Sequence, residues 1–194
     1  MMINRRHLLR ILGLSGPLAA GMATPTFAQT PTMSRVTALA FSFPGLEGGD
    51  IRLSEYAGKP ILIVNTASLC GYTPQYAGLQ RLWTRFHDRG LMIIGVPSNN
   101  FGGQEPGGAS DIGKTAHEDF GVTFPLTAKV DVKGPNLHPF YKWAAAERPL
   151  EAPRWNFHKY LVGRDGRLVA AFASDIEPTD PQVLNSIEKA LTAE

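Results

Sequence analysis

Cysteine is nearly absent from this sequence. Cys70 is the only cysteine in 194 residues, so the chain cannot form an internal disulfide or a cysteine-rich zinc or copper site. A lone cysteine is either an inert buried residue or a free reactive thiol. Both alternatives stay open until the surroundings of Cys70 are considered.

Patterns that bind metals, phosphates or nucleic acids are also missing. The five histidines show no ligand spacing, and the glycine pairs at 102–103 and 107–108 do not match a phosphate-binding loop. No stretch combines basic and aromatic residues in the way that nucleic-acid binding requires. We therefore expect no metal, no prosthetic cofactor and no nucleic-acid partner.

The apolar run near the N-terminus is short. Residues 11–23 fall below the roughly 20 residues of a membrane span. They follow the pair Arg5 and Arg6 and precede Thr-Phe-Ala at 26–28, which is typical of an export signal cleaved after Ala28. We predict that residues 1–28 are such a signal and that the mature protein is periplasmic or secreted, without stable membrane insertion.

The export route has alternatives. The paired arginines resemble a twin-arginine signal, but Asn4 replaces the usual Ser or Thr, so an ordinary secretory signal stays open. An uncleaved membrane anchor and an N-terminal core helix are the further alternatives.

Neither sign of charge dominates the predicted mature chain. Residues 1–28 hold three arginines and no acidic residue, so their removal leaves sixteen basic and seventeen acidic residues. The net charge changes from +2 to −1, and the basic character of the full chain belongs to the signal. The length of residues 29–194 suits one domain with a substantial core.

The hydrophobic pattern predicts a mixed sheet with helices on both faces and an N-terminal β-hairpin, which is a thioredoxin-like α/β fold. The expected elements are hairpin strands at 39–43 and 51–53, a strand at 61–66, a helix at 74–88, a strand at 91–96, a helix at 110–120 capped by Ser110, a strand at 124–132, a helix at 137–146, a hairpin at 160–162 and 168–172, and a helix at 180–191.

Arginines recur on the polar side of the helix predicted at 74–88. Arg81, Arg85 and Arg89 fall opposite its apolar face. They form either a solvated face or a recognition patch for an anionic substrate.

Cys70 lies between a predicted strand and a predicted helix. The apolar run at 61–64 precedes it, and Thr73 and Pro74 favour a helix start soon after it. Unpaired N–H groups and the helix dipole stabilise an anion at such a start, which favours a thiolate. This setting favours the reactive alternative without excluding a buried structural cysteine.

Two further loops carry donors that suit thiolate chemistry on a weak O–O bond. Gln104 follows the second central strand, and Trp155 and Asn156 precede the final hairpin. Parallel strands end at one sheet edge, so the loop of Cys70 and the loop of Gln104 can meet there. The amides and the indole N–H donate hydrogen bonds without ionising. Taken singly, each of these residues is also consistent with packing or a turn.

Five blocks together resemble the glutathione peroxidase family across nearly the whole predicted mature chain. They are Asn-Thr-Ala-Ser-Leu-Cys-Gly-Tyr-Thr-Pro-Gln-Tyr at 65–76, Asn-Asn-Phe-Gly-Gly-Gln-Glu-Pro at 99–106, Gly-Val-Thr-Phe-Pro at 121–125, Asp-Val-Lys-Gly-Pro-Asn at 131–136 and Trp-Asn-Phe at 155–157.

The resemblance implies a catalytic tetrad of Cys70, Gln104, Trp155 and Asn156. It also implies reduction of hydrogen peroxide and organic hydroperoxides, with glutathione or a thiol-donor protein as partner.

Two departures from the family concern cysteine. Many cysteine-type members have a resolving cysteine where this chain has Ala116, and a further family cysteine is Ser98. A sulfenic acid on Cys70 must therefore react with an external thiol. The alternatives are a peroxide sensor that passes its oxidation to a partner protein, and an inactive thioredoxin-fold scaffold. The short segment at 147–154 also lacks the extra residues of tetrameric members, so we expect a monomer with an open site.

Overall fold

The computed structural model describes residues 36–193, so the predicted export signal at 1–28 lies outside the described residues. The strands are β1 (Ser42–Pro44), β2 (Asp50–Arg52), β3 (Ile61–Thr66), β4 (Met92–Pro97), β5 (Lys159–Val162) and β6 (Leu168–Phe172). The α-helices are α1 (Gln75–Phe86), α2 (Ala109–Gly113), α3 (Pro139–Glu147) and α4 (Pro181–Thr192), and a π-helical turn (Lys114–Asp119) continues α2.

The central sheet has the strand order β4-β3-β5-β6. β3 and β4 are parallel, β5 is antiparallel to β3, and β6 is antiparallel to β5. β1 and β2 form a separate antiparallel hairpin near the N-terminus of the described chain. The mixed sheet, its flanking helices and this hairpin confirm the predicted thioredoxin-like fold.

Each face of the sheet has its own apolar core. α1 and α4 cover one face, where Leu79 and Ile187 pack with Leu62 of β3. α3 covers the other, where Phe140 packs with Ile63. Every residue of β3 and β4 is buried because both faces are covered, which explains their continuous apolar sequence.

The amphipathic pattern of α1 is confirmed. Its buried face includes Tyr76, Leu79, Leu82 and Phe86. The arginines at 81, 85 and 89 are all exposed, as a solvated face requires. Two of them, at 85 and 89, pair with Glu188 of α4, which links the two helices on one side of the sheet.

Two local predictions are wrong. Ser110 lies inside α2 and is not its cap, because the helix begins one residue earlier and Gly108 is the N-cap. The N–H of Gly108 donates to the carboxylate of Asp111. Asp111, at the third position of the helix, therefore binds back to the N-cap residue as in a capping box.

The strand predicted at 124–132 is also absent. Only isolated bridges form there, between Gly95 and Leu126 and between Gly45 and Thr127. Gly95 donates its N–H to the Pro125 carbonyl and accepts from the N–H of Thr127. Pro125 itself has no N–H, so the pairing does not extend into a ladder.

Among residues 36–193, no helix is long and apolar enough to cross a membrane. The same range contains no group of three or more His, Cys, Asp or Glu side chains that could hold a metal ion.

The close approach at Gly95 generates a stability prediction. A Cβ at this position would clash with Cδ2 of Leu126, which is buried. Gly95→Val should therefore lower the free energy of unfolding by about 1–3 kcal/mol through overpacking. Chemical denaturation of the purified protein measures this change.

Gly113→Ala is the matched control. Gly113 has helical backbone angles, and its added Cβ would be 3.7 Å from His117, an ordinary contact. This substitution should raise the free energy of unfolding by about 0.5–1 kcal/mol. Equal effects of the two substitutions would contradict the packing argument.

Candidate active site

Cys70 lies in the turn between β3 and α1, and its side chain is 7% exposed. Backbone hydrogen bonds between residues three apart extend the helical turn from α1 back to Cys70. The N–H of Thr73 donates to the Cys70 carbonyl, and the N–H of Tyr76 donates to the Thr73 carbonyl. The Thr73 hydroxyl accepts from the Cys70 N–H and donates to the Ala67 carbonyl. The predicted strand–turn–helix setting of the thiol is confirmed.

The sulfur of Cys70 faces a backbone donor. The N–H of Tyr72 donates to Sγ at 3.4 Å, and this is the only hydrogen bond to the sulfur within residues 36–193. Such N–H groups at the start of a helix stabilise negative charge. The arrangement can therefore support a thiolate.

A backbone hydrogen bond joins the cysteine turn to the loop that follows β4. The N–H of Leu69 donates to the carbonyl of Gln104 at 2.9 Å. The predicted meeting of these two loops at the end of the parallel strands is therefore confirmed. The side chain of Gln104 is half-buried.

Asn156 fixes the orientation of the Gln104 amide. Its Nδ2 donates to Oε1 of Gln104 at 2.9 Å and more weakly to the carbonyl of Phe101 at 3.4 Å. Because the oxygen of Gln104 is engaged as an acceptor, its NH₂ group remains as a donor. Asn156 is itself fully buried, so it can act on a bound molecule only through Gln104.

Trp155 forms a partly exposed wall beside these groups. Its ring packs against Phe101 with centroids 5.9 Å apart, and the residue remains 38% exposed. Its indole N–H has no hydrogen-bond partner in the described part of the chain. The structure thus brings Gln104 and Asn156 into direct contact and places Trp155 next to them.

Asn65 holds the Trp155–Phe157 segment in place, a role that the sequence analysis did not assign. Its Nδ2 donates to the Trp155 carbonyl, and its own carbonyl accepts from the N–H of Phe157. Phe157 adopts φ 63°, which is strained for a bulky side chain. The sequence contains one signal for this role of Asn65, because a polar residue follows the apolar run at 61–64 within the same strand.

Two buried bases beyond this segment have shifted pKa values. Burial lowers the pKa of His158 to about 4, with a smaller contribution from the charge of Lys159. Burial lowers the pKa of Lys159 to about 8, although Glu177 and Asp175 oppose this shift. His158 is therefore neutral at neutral pH.

Comparison with known proteins identifies the family. A family model described as glutathione peroxidase matches residues 39–145. The chain belongs to the glutathione peroxidase family.

The relatives of this chain carry related names. It is 45% identical to the hydroperoxy fatty acid reductase gpx1 of Synechocystis over 164 residues, 80% of this chain and 96% of the relative. It is also 45% identical to the glutathione peroxidase-like peroxiredoxin GPX5 of Chlamydomonas reinhardtii over 151 residues, 76% and 92% of the two chains. The crystal structure of Trgpx in its apo form is similar, with a TM-score of 0.68, 34% identity and coverage of 82% and 98%.

Membership of the glutathione peroxidase family gives the class of reaction. The chain is a glutathione peroxidase-like peroxidase, which reduces peroxide with electrons from a thiol co-substrate. The family uses thiol co-substrates without a prosthetic cofactor.

Ala116 and Ser98, the two positions at which the resemblance to the family leads one to expect a cysteine, are fully buried. Ala116 lies in the π-helical turn and packs in the core, and Ser98 donates its hydroxyl to Asn100 Oδ1 at the end of β4. Cys70 is a free cysteine. Neither position supplies a second thiol to the site.

The contact between Asn156 and Gln104 generates a double-mutant prediction. Gln104→Ala removes the free donor and should lower the rate constant for peroxide reduction by about a hundredfold, the effect of losing one such donor. Asn156→Ala should lower it less, because it only releases the amide orientation. The double variant should be no slower than Gln104→Ala alone, as measured by stopped-flow peroxide consumption.

Asn136→Ala, in an exposed turn, is the control and should leave the rate unchanged. Additive losses in the double variant would show that Asn156 does not act through Gln104.

Proposed function

We propose that Cys70 is the residue that reacts with peroxide. Its thiolate attacks one oxygen of the O–O bond, a new S–O bond forms, and the O–O bond breaks. The sulfur becomes a sulfenic acid, and the second oxygen leaves with a proton as water or as an alcohol. The N–H of Tyr72, which donates to Sγ, is the observation that most directly supports a thiolate at this position.

The surrounding donors have complementary roles in this proposal. The free NH₂ group of Gln104 and the indole N–H of Trp155 stabilise the thiolate and the leaving oxygen. Asn156 holds the Gln104 amide with its oxygen turned towards Asn156. None of these groups changes its charge, so the arrangement is ready before the peroxide arrives.

An external thiol completes the cycle. The first thiol condenses with the sulfenic acid, which forms a mixed disulfide and releases water, and a second thiol displaces Cys70 as a thiol and leaves as a disulfide. The single cysteine supports this route because no residue of the chain can form the disulfide internally. The donor is glutathione or a thiol-donor protein.

The site accepts hydrogen peroxide and larger organic hydroperoxides in this proposal. Leu69 is 66% exposed directly before Cys70, and Trp155 is also partly exposed. These apolar surfaces suit an organic substituent. The relative named hydroperoxy fatty acid reductase supports the same substrate class. The short segment between α3 and Trp155 supports a monomer.

A second candidate function is a peroxide sensor, in which Cys70 is oxidised once and transfers its oxidation to a partner protein. The absence of any other cysteine in the sequence favours the sensor as much as it favours the peroxidase with an external thiol. Rapid oxidation without sustained turnover by any thiol, together with a mixed disulfide in extracts, distinguishes this function from the peroxidase.

Export of the protein is a separate proposal. It is supported by the paired arginines, the short apolar run and the Thr-Phe-Ala sequence at 26–28. A periplasmic or secreted protein would meet the thiols of that compartment. Fractionation of cells that express the full chain, with N-terminal sequencing of the product, tests both the location and cleavage after Ala28.

Steady-state turnover tests the peroxidase. Residues 29–194 are mixed with excess glutathione and either hydrogen peroxide or cumene hydroperoxide, and peroxide loss is followed. We expect sustained turnover of both substrates, and Cys70→Ser should fall to the rate of the uncatalysed reaction because the nucleophile is lost.

Ser110→Ala, an exposed change in α2, should keep full activity. Equal turnover by Cys70→Ser and the wild type would exclude the mechanism. If the protein consumes hydrogen peroxide but does not consume cumene hydroperoxide, the proposed open site is excluded.

A further inference from the structure

Glu105 follows Gln104 directly and is almost completely buried, with 1% of its surface exposed. Its backbone is anchored on both sides: its N–H donates to Asn99 Oδ1, and its carbonyl accepts from Nζ of Lys129. An acidic side chain in a glycine- and proline-rich loop normally faces water. The burial of this one therefore requires a structural explanation.

The carboxyl of Glu105 lies in a buried cluster with the hydroxyls of Thr66, Ser68 and Tyr76. The N–H and hydroxyl of Ser68 lie close enough to the carboxyl to lower its pKa, and Thr66 and Glu105 both act on the pKa of Tyr76. The oxygens of these four side chains have no hydrogen-bond partner within residues 36–193. The cluster joins the end of β3, the cysteine turn, α1 and the loop after β4.

Burial favours the neutral form of this carboxyl. It raises the pKa of Glu105, and nearby Asp111 acts in the same direction. The donors of Ser68 and the charge of Lys129 oppose the shift without cancelling it. A neutral carboxyl can both donate to a hydroxyl and accept from an N–H, which suits the cluster.

We propose that Glu105 is a positioning residue for Cys70. Its buried carboxyl lies against Ser68, and the carbonyl of Gln104 accepts from the N–H of Leu69, so both residues before the thiol depend on the loop that supplies the Gln104 amide. The inference rests on the proposed reaction of Cys70 with peroxide. Its consequence is that the distance between sulfur and donors depends on a side chain that touches neither the peroxide nor the sulfur.

Two rate constants of Cys70 separate positioning from general damage. Oxidation by hydrogen peroxide requires the sulfur to be aligned with its donors, whereas alkylation by iodoacetamide requires only an accessible thiolate. Glu105→Ala should lower the oxidation rate constant by between about tenfold and a hundredfold, as expected for a misplaced reacting group. The alkylation rate constant should not fall.

Three further variants complete the comparison. Glu105→Gln keeps a neutral group that donates and accepts, so its oxidation rate should stay close to that of the wild type. Ser68→Ala should reduce oxidation less than Glu105→Ala, and the double variant should be no slower than Glu105→Ala. Glu147→Gln, at an exposed carboxyl of α3, is the control and should change neither rate.

The stability of Glu105→Gln gives an independent readout. Folding raises the pKa of Glu105 above its ordinary value of 4.5. The stability that the protonated carboxyl contributes is fully present below pH 4.5 and is lost as the pH rises through the raised pKa. The glutamine variant does not titrate. Its melting temperature relative to the wild type should therefore increase as the pH rises from 4.5.

The inference is overturned if Glu105→Ala oxidises as fast as the wild type, if its oxidation and alkylation rates fall by one common factor, or if Glu105→Gln is as slow as Glu105→Ala. Should Glu105→Ala fail to fold, Ser68→Ala and Glu105→Gln still give the comparison. A wild type whose Cys70 does not react with peroxide would instead refute the proposed function.

Discussion

One backbone hydrogen bond joins the two loops on which the site depends. The N–H of Leu69 donates to the carbonyl of Gln104, which ties the cysteine turn after β3 to the loop after β4. Parallel pairing of β3 and β4 brings both loops to one edge of the sheet. Asn156 then binds the side chain of the same Gln104, so the third loop joins at this residue. A change that separates these loops would disperse all the donors at once.

Buried polar side chains hold this edge of the sheet together. Asn65 secures the segment around Trp155, Asn156 orients Gln104, and Glu105 is buried directly after Gln104. Unpaired buried polar groups are costly, so such residues are expected where they fix a particular geometry. The candidate site of this glutathione peroxidase family member is therefore built into the end of the apolar core.

Hydrophobic pattern was sufficient for the fold, and strand geometry for part of the site. The run at 61–66 became β3 without any shift, and the meeting of the Cys70 and Gln104 loops followed from parallel strands. The strand predicted at 124–132 does not form, because Pro125 has no N–H with which to extend the isolated bridges into a ladder. Amide orientations depend on contacts between residues 52 and 90 positions apart, which no local pattern contains. The burial of Glu105 could not be predicted from the sequence either, because the composition of its loop predicts an exposed side chain.

The central claim is that Cys70 itself carries the oxidation and returns to a thiol through an outside donor. Peptide mass spectrometry tests it most directly, after treatment of the wild type with one equivalent of hydrogen peroxide. With dimedone present, the account predicts a sulfenic-acid adduct on the peptide that contains residue 70. Without dimedone, added glutathione should give a mixed disulfide at that residue and then the free thiol. Peroxide consumption with Cys70 unmodified throughout would contradict the account.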